Sequence, residues 1–253
     1  MSDLTVIAGT SWANYRAVNR GWVLLTGVFP RALVQVAFYL LLAQTLPGHP
    51  SAAVSLMSGS AFVATRSTVV NATSILMIDV SHGTLDGTRL GRRGLPTVAL
   101  VRSWIWVAEG AATAACAFLL LGLCALGPRQ LSSHLPALGV IALVSVTSVP
   151  LGLIVAALGL LRRIETLISN LVTYLLLLAS GALTAAPAAW LARVGAFLPL
   201  TNGVRGLWNS ADGSFPWAAA GREALTGAVW LVVAILVVRL VERHLRRTGE
   251  SAS

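Results

Sequence analysis

The side chains that could do chemistry gather in one polar stretch, DVSHGTLDGTRLGRRGLP, from Asp79 to Pro96. Asp79, Ser81 and His82 are the three residue types of a hydrolytic triad. As near neighbours in one loop, however, they cannot be expected to line up as nucleophile, base and orienting acid. No HExxH, CxxC or GxSxG pattern occurs in the chain. Gly83, Gly87, Gly91 and Gly94 invite comparison with a phosphate-binding loop, but their spacing fits neither GxGxxG nor GxxxxGK[ST]. All 18 basic residues are arginine, so the lysine of a Walker A loop is absent. The expectation is a chain with no ATPase or other catalytic machinery of its own, no metal and no bound cofactor. If ATP drives it, a second polypeptide must bind the nucleotide.

A second group of candidates lies inside apolar runs. Arg66 falls near the middle of one, and Ser67, Asn71 and Ser74 recur beside it at i, i+4 and i+7, making one side of a helix polar together with Thr68 and Thr73. A guanidinium at bilayer depth costs about 2.5 to 3.5 kcal/mol on insertion scales, so it calls for a compensating role. Arg66, Ser67, Asn71 and Ser74 are therefore candidates for a substrate pathway; helix-to-helix hydrogen bonding is the alternative. Asn71-Ala72-Thr73 has the form of a glycosylation site, but it sits where no glycan can be added. Arg102 and Glu109, seven residues apart, share a helical face and are candidates to pair with charges on another helix. Glu109 could equally hold Arg66. Arg31 is expected to snorkel to the headgroups. Cys116 and Cys124 fall in one apolar run without metal-ligand spacing and read as packing residues.

The elements that position these residues follow from composition. The 253 residues are 56% hydrophobic and only 11% charged, against roughly a quarter charged in an ordinary soluble domain. This predicts an all-α integral membrane protein, a single domain over 1–253. At about 20 apolar residues per crossing the chain accommodates about six spans. They are expected at Gly27–Leu46, Val54–Val80, from Thr97 to the GPRQ segment, from Leu135 to Arg162, Ile164–Leu183 and Trp217–Val241. Residues 1–26, with Trp, Tyr and Arg but no signal-peptide core, read as an interfacial helix. Residues 184–216, rich in Pro and Gly with Trp190, Leu191, Val194 and Phe197 at helical spacing, read as short helices in or dipping into the outer interface. Residues 242–253 read as a polar tail. Arg16, Arg20, Arg89, Arg92, Arg93, Arg162, Arg163, Arg243, Arg246 and Arg247 outnumber Arg129, Arg193, Arg205 and Arg222 on the opposite side. By the positive-inside rule both termini and the 79–96 loop face the cytoplasm. The net charge of +9 is thus a topology signal and not a nucleic-acid footprint.

Three features together resemble the ABC-2 family of transporter permeases. The first is the loop between spans two and three, where Asp79, Gly83, Thr84, Leu85, Asp86 and Pro96 match the family's cytosolic motif, with Gly94-Leu95 in place of the usual Ser before the proline. The second is the segment after span five, where Ser180, Gly181, Pro187, Trp190, Leu191, Leu198, Pro199, Leu200, Thr201 and Arg205 follow the family's pattern. The third is the layout itself.

The resemblance implies a type V ABC exporter-like transmembrane domain in a bacterial cytoplasmic membrane. Residues 82–95 would be a coupling helix seated on a separate nucleotide-binding ATPase subunit, which holds the ATP and Mg. Gly83 and Thr84 would start that helix, Leu85 and Leu90 would be its apolar knobs, and Asp86 and Arg92 would stand on its charged rim. Two permease chains, identical or sister, would enclose a pathway for an amphipathic drug-like or natural-product substrate, or a lipid-linked glycan. Two other classes are carried beside this one: a non-transporting anchor or immunity subunit of an ATPase complex, and an ion-coupled carrier, which the near absence of paired intramembrane acids disfavours.

Overall fold

The computed structural model describes residues 3–19, 21–45, 51–91, 93–162, 164–184, 188–210 and 214–248, with the backbone alone for 86, 89, 90, 162 and 248. Described residues form helices and turns only. In chain order these are α1 (Asp3–Val18), α2 (Gly21–Val23), a π turn (Leu24–Val28), α3 (Phe29–Thr45), α4 (Ala52–Ser81), α5 (Leu85–Leu90), α6 (Leu95–Ala125), α7 (Gly127–Ser133), α8 (Ala137–Arg162), α9 (Glu165–Ala179), α10 (Ala189–Gly195), α11 (Thr201–Asn209) and α12 (Trp217–Thr248). Five helical runs are long and apolar enough to cross a membrane: Gly21–Thr45, Ala52–Ser81, Leu95–Ala125, Ala137–Leu161 and Trp217–Arg247. The chain is a membrane protein.

Three boundaries differ from the sequence expectation. The first span begins at Gly21, not Gly27, because α2, the π turn and α3 form one continuous helix. Pro30 has no N–H to give Thr26, and the ladder slips: the Phe29 N–H reaches back five residues to the Leu24 carbonyl. The expected span Ile164–Leu183 is only the 15-residue α9, about 22 Å long against a hydrocarbon core of about 30 Å. It stops because Gly181 turns to φ 79, a conformation that no helix continues through. The expected tail from residue 242 is helical through Thr248, with Val241, Glu242 and Leu245 buried.

α4 and α8 are the most buried of the spans, and α6, α3 and α12 pack around them. Small residues allow the close approach. A Cβ at Gly110 would stand 2.7 Å from Thr68 Oγ1, and one at Gly152 would stand 2.6 Å from the Ala72 Cβ. One apolar cluster, including Leu56, Phe62, Phe118 and Ile141, fills the end of the bundle that carries the α6–α7 turn. A second, including Leu76, Leu95, Leu153 and Val241, fills the end that carries residues 79–95.

Where one helix was expected over 82–95, the structure has the six-residue α5 between two turns. Gly83 adopts φ 65, and the Thr84 N–H donates to the Asp79 carbonyl at 2.9 Å. Leu85 does not point outward as a knob: it is 3% exposed, inside the cluster with Leu95, Val241 and Leu245. α5 packs on α4 and α6, so this side chain is spent within the chain. Arg92 lies outside the described residues, as do the side chains of Asp86 and Leu90.

Candidate functional site

Near the midpoints of α4 and α6 the packing opens into a cavity of about 500 Å³. Arg31 and Gln35, at i and i+4 on α3, line one wall; Arg66, Ser67 and Asn71 of α4 line the second, and Glu109 of α6 the third. The end of α1 and the widened π turn close the remaining side at Asn19 and Gly27. The long polar face of α4 expected from the sequence is divided by tertiary packing. Arg66, Ser67 and Asn71 meet at the cavity. Ser74 is not part of its lining and donates to the Val70 carbonyl. Thr68 is buried under Gly110, and Thr73 donates towards the Gly152 carbonyl of α8.

Glu109 is fixed from two helices. Its Oε2 accepts from the Tyr15 hydroxyl at 2.7 Å and its Oε1 from Asn71 Nδ2 at 3.2 Å. Burial, and then the adjoining carboxylate, push the Tyr15 phenol well above its ordinary pKa, so it stays a donor. No ion pair joins Glu109 to Arg66. Among the described residues neither Arg31 nor Arg66 has an ion-pair or hydrogen-bond partner. The recess therefore holds two guanidinium charges against one carboxylate, and hydrogen bonds from Tyr15 and Asn71 already engage both oxygens of that carboxylate.

Arg102 and Glu109 both bond to α4, as their shared face suggested, but they do different work. Arg102 pairs with Asp79, one nitrogen lying 2.6 Å from Oδ2, while Glu109 belongs to the cavity. Asp79, Ser81 and His82 do not converge: the Asp79 carboxylate is held by Arg102, and Ser81 donates to the Ile78 carbonyl. Of the two cysteines, Cys116 is half-buried and Cys124 is exposed.

α1 connects the polar loop to the cavity. At its start Asp3 lies 3.6 Å from Arg93. Further along, Trp12 meets Trp104 at 6.0 Å and Tyr15 meets Trp106 edge-on at 5.4 Å, ahead of the bond from Tyr15 to Glu109. α1 has no buried residue, so these aromatic and polar contacts are what hold it on α6.

Sequence reasoning missed one more site. Glu223, in the second turn of α12, is fully buried. It accepts from Thr147 Oγ1 at 2.8 Å, from the Leu200 N–H at 2.7 Å and from the Gly203 N–H at 3.1 Å. A carboxylate thus satisfies the free donors at the start of α11, and Leu200 is held at φ 82, a costly conformation for a branched side chain. The usable signal was an acid within an apolar span, which by its cost marks a role. α11 is sunk among α4, α8 and α12. α10, with Trp190 exposed, and the turn after it, with Phe197 exposed, stay at the edge. Pro187, part of the matched pattern, lies outside the described residues.

In comparisons with known proteins, the chain matches no family model and no curated relative.

Proposed function

We propose that this chain is the permease subunit of an ATP-driven exporter of the ABC-2 type, working with a separate nucleotide-binding subunit and a second permease chain. In this reading α9, with the inward-dipping α11, completes a sixth crossing. Both termini and α5 then face the cytoplasm of a bacterial cell. The observation that carries the reading is the continuity from loop to cavity: Arg93 contacts Asp3 at one end of α1, and Tyr15 bonds to Glu109 of the cavity wall at the other. A partner that displaces the 82–95 loop on ATP binding would thereby displace a wall of the cavity, which is the two-state coupling that alternating access needs.

The grip on the partner cannot rest on Leu85, which is buried. It falls to the exposed rim of the loop, His82, Gly87 and Arg93 among the described residues.

The reading is tested by co-expression with a candidate ATPase subunit. The two should co-purify, and a charge reversal at Arg93 should weaken the association. Orientation is tested with a single cysteine at Gly87, where a Cβ meets nothing within 4 Å, in a background lacking Cys116 and Cys124. That thiol should resist an impermeant maleimide in intact cells; its labelling would reverse the topology. Stable co-purification without any ATP-dependent flux would favour the anchor alternative.

A further inference from the structure

Resting on the permease reading, we propose that the Arg31–Arg66 cavity binds a single oxyanion, a phosphate or carboxylate, carried by an amphiphile that enters from the leaflet on the α5 side. Charge gives the sign of the ligand. Two guanidinium groups stand against the single carboxylate of Glu109, so the recess is net positive, and neither guanidinium has an ion-pair or hydrogen-bond partner among the described residues. A guanidinium in a largely apolar setting calls for a counter-charge, and its planar fork fits two oxygens of one carboxylate or phosphate. Gln35 and Ser67, on the same walls, add neutral hydrogen-bonding groups. The volume, about 500 Å³, lies within the usual range for small-ligand sites, roughly 300 to 1,000 Å³.

Depth gives the route of entry. α6 has 31 residues, about 46 Å at 1.5 Å per residue, so about 16 Å of it must project beyond a hydrocarbon core of about 30 Å. Trp12, Tyr15, Trp104 and Trp106 form a belt on that projecting half, as aromatic side chains do at headgroup depth. Glu109 lies five residues beyond Trp104 on α6, about 8 Å. The cavity thus lies inward of this belt and is reached from the leaflet on the α5 side. Beside Arg31 and Gln35, α3 turns Val34, Phe38 and Leu41 outward, all more than half exposed. At 100° per residue these positions adjoin the cavity face and form an apolar lane for a tail.

The test uses the purified full chain in dodecyl maltoside, titrated with dodecyl phosphate, dodecanol or inorganic phosphate, and in nanodiscs with or without phosphatidylglycerol. Dodecyl phosphate should bind saturably, dodecanol should not, and inorganic phosphate should bind more weakly. Arg66→Gln and Arg31→Gln should each weaken dodecyl phosphate at least tenfold, with Arg222→Gln, at the opposite end of the molecule, unchanged. Arg31 is on the exposed side, so Arg31→Gln keeps the test decisive if Arg66→Gln fails to fold. Competition by phosphatidylglycerol would identify a membrane lipid as the source of the oxyanion; its absence would identify a free amphiphile. Equal binding of dodecanol, or unchanged affinity in the folded arginine variants, would overturn the site. No ATPase is present in this assay, so binding without ATP-driven flux would refute only the permease reading. Flux of an uncharged cargo without dodecyl phosphate binding would refute only this inference.

Discussion

Arg102 sets one guanidinium nitrogen 2.8 Å and 2.6 Å from the two carboxylate oxygens of Asp79, bracketing the end of α4 against the first turns of α6. The polar loop and α5 hang between these two anchors. Because Asp79 is buried, removing only one partner leaves a charge poorly solvated. Arg102→Gln should cost about 3 kcal/mol, at the lower end for a buried pair. Asp79→Asn combined with Arg102→Gln should recover most of that. Thermal unfolding of the two single variants and the double variant in detergent measures the coupling; additive losses would show that the pair does not act as a unit.

Leu85 makes a prediction that separates folding from partner binding. At 3% exposure, Leu85→Ala should destabilise the isolated chain by about 2 to 4 kcal/mol through a cavity in the cluster with Val241 and Leu245. The loss should be measurable with no ATPase subunit present. Unchanged stability of the isolated chain, with only partner binding lost, would return Leu85 to the role of an outward knob.

Tyr15 should make the docking of α1 sensitive to alkali. Its folded-state pKa lies above the ordinary value of 10, so its contribution is fully present below about pH 10 and is lost as pH rises through the folded value. Quenching of tryptophan fluorescence by iodide from about pH 8 to about pH 12 should report α1 release in the native chain. Tyr15→Phe should show looser α1 packing at neutral pH and lack the Tyr15 part of the alkaline transition.

Glu223 should govern the order of α11. Glu223→Ala leaves the Leu200 and Gly203 amides and the Thr147 hydroxyl without their acceptor, each lost partner costing about 1 to 3 kcal/mol. Hydrogen exchange at Leu200 and Gly203 should accelerate at least tenfold, with exchange in the centre of α4 unchanged. Equal protection in the variant would show that packing alone seats α11.

Long spans were legible because periodicity hardly matters for them. Apolar runs bounded by Gly and Pro fix α4, α6, α8 and α12 by length alone. The segment after Ile164 was overread: hydropathy stays high through Leu183, but Gly181 turns the backbone and α9 ends at Ala179, four residues short of the expected span. Arg102 and Glu109 were correctly placed on one face, since seven residues is two helical turns. Their partners were not readable, because Asp79, Asn71 and Tyr15 meet them through helix order. The Arg66 side of α4 was legible as polar, and its division among cavity, α6 and α8 was set by where Gly110 and Gly152 let neighbouring helices approach. Leu85 misled because an apolar residue in a polar loop looks the same whether it faces a partner or its own chain's core.

Whether a separate ATPase drives cargo through this chain is measured directly by ATP-dependent flux. The chain, a second permease copy and the ATPase subunit that co-purifies with it would be reconstituted in vesicles loaded with an ATP-regenerating system or left without one. A fluorescent amphiphile bearing one phosphate or carboxylate would be followed across the bilayer. Flux should require ATP, disappear when the Walker lysine of the ATPase is replaced, and fall at least tenfold in Arg66→Gln at unchanged complex assembly. Flux that is independent of ATP, or that follows an imposed ion gradient instead, would contradict the permease reading.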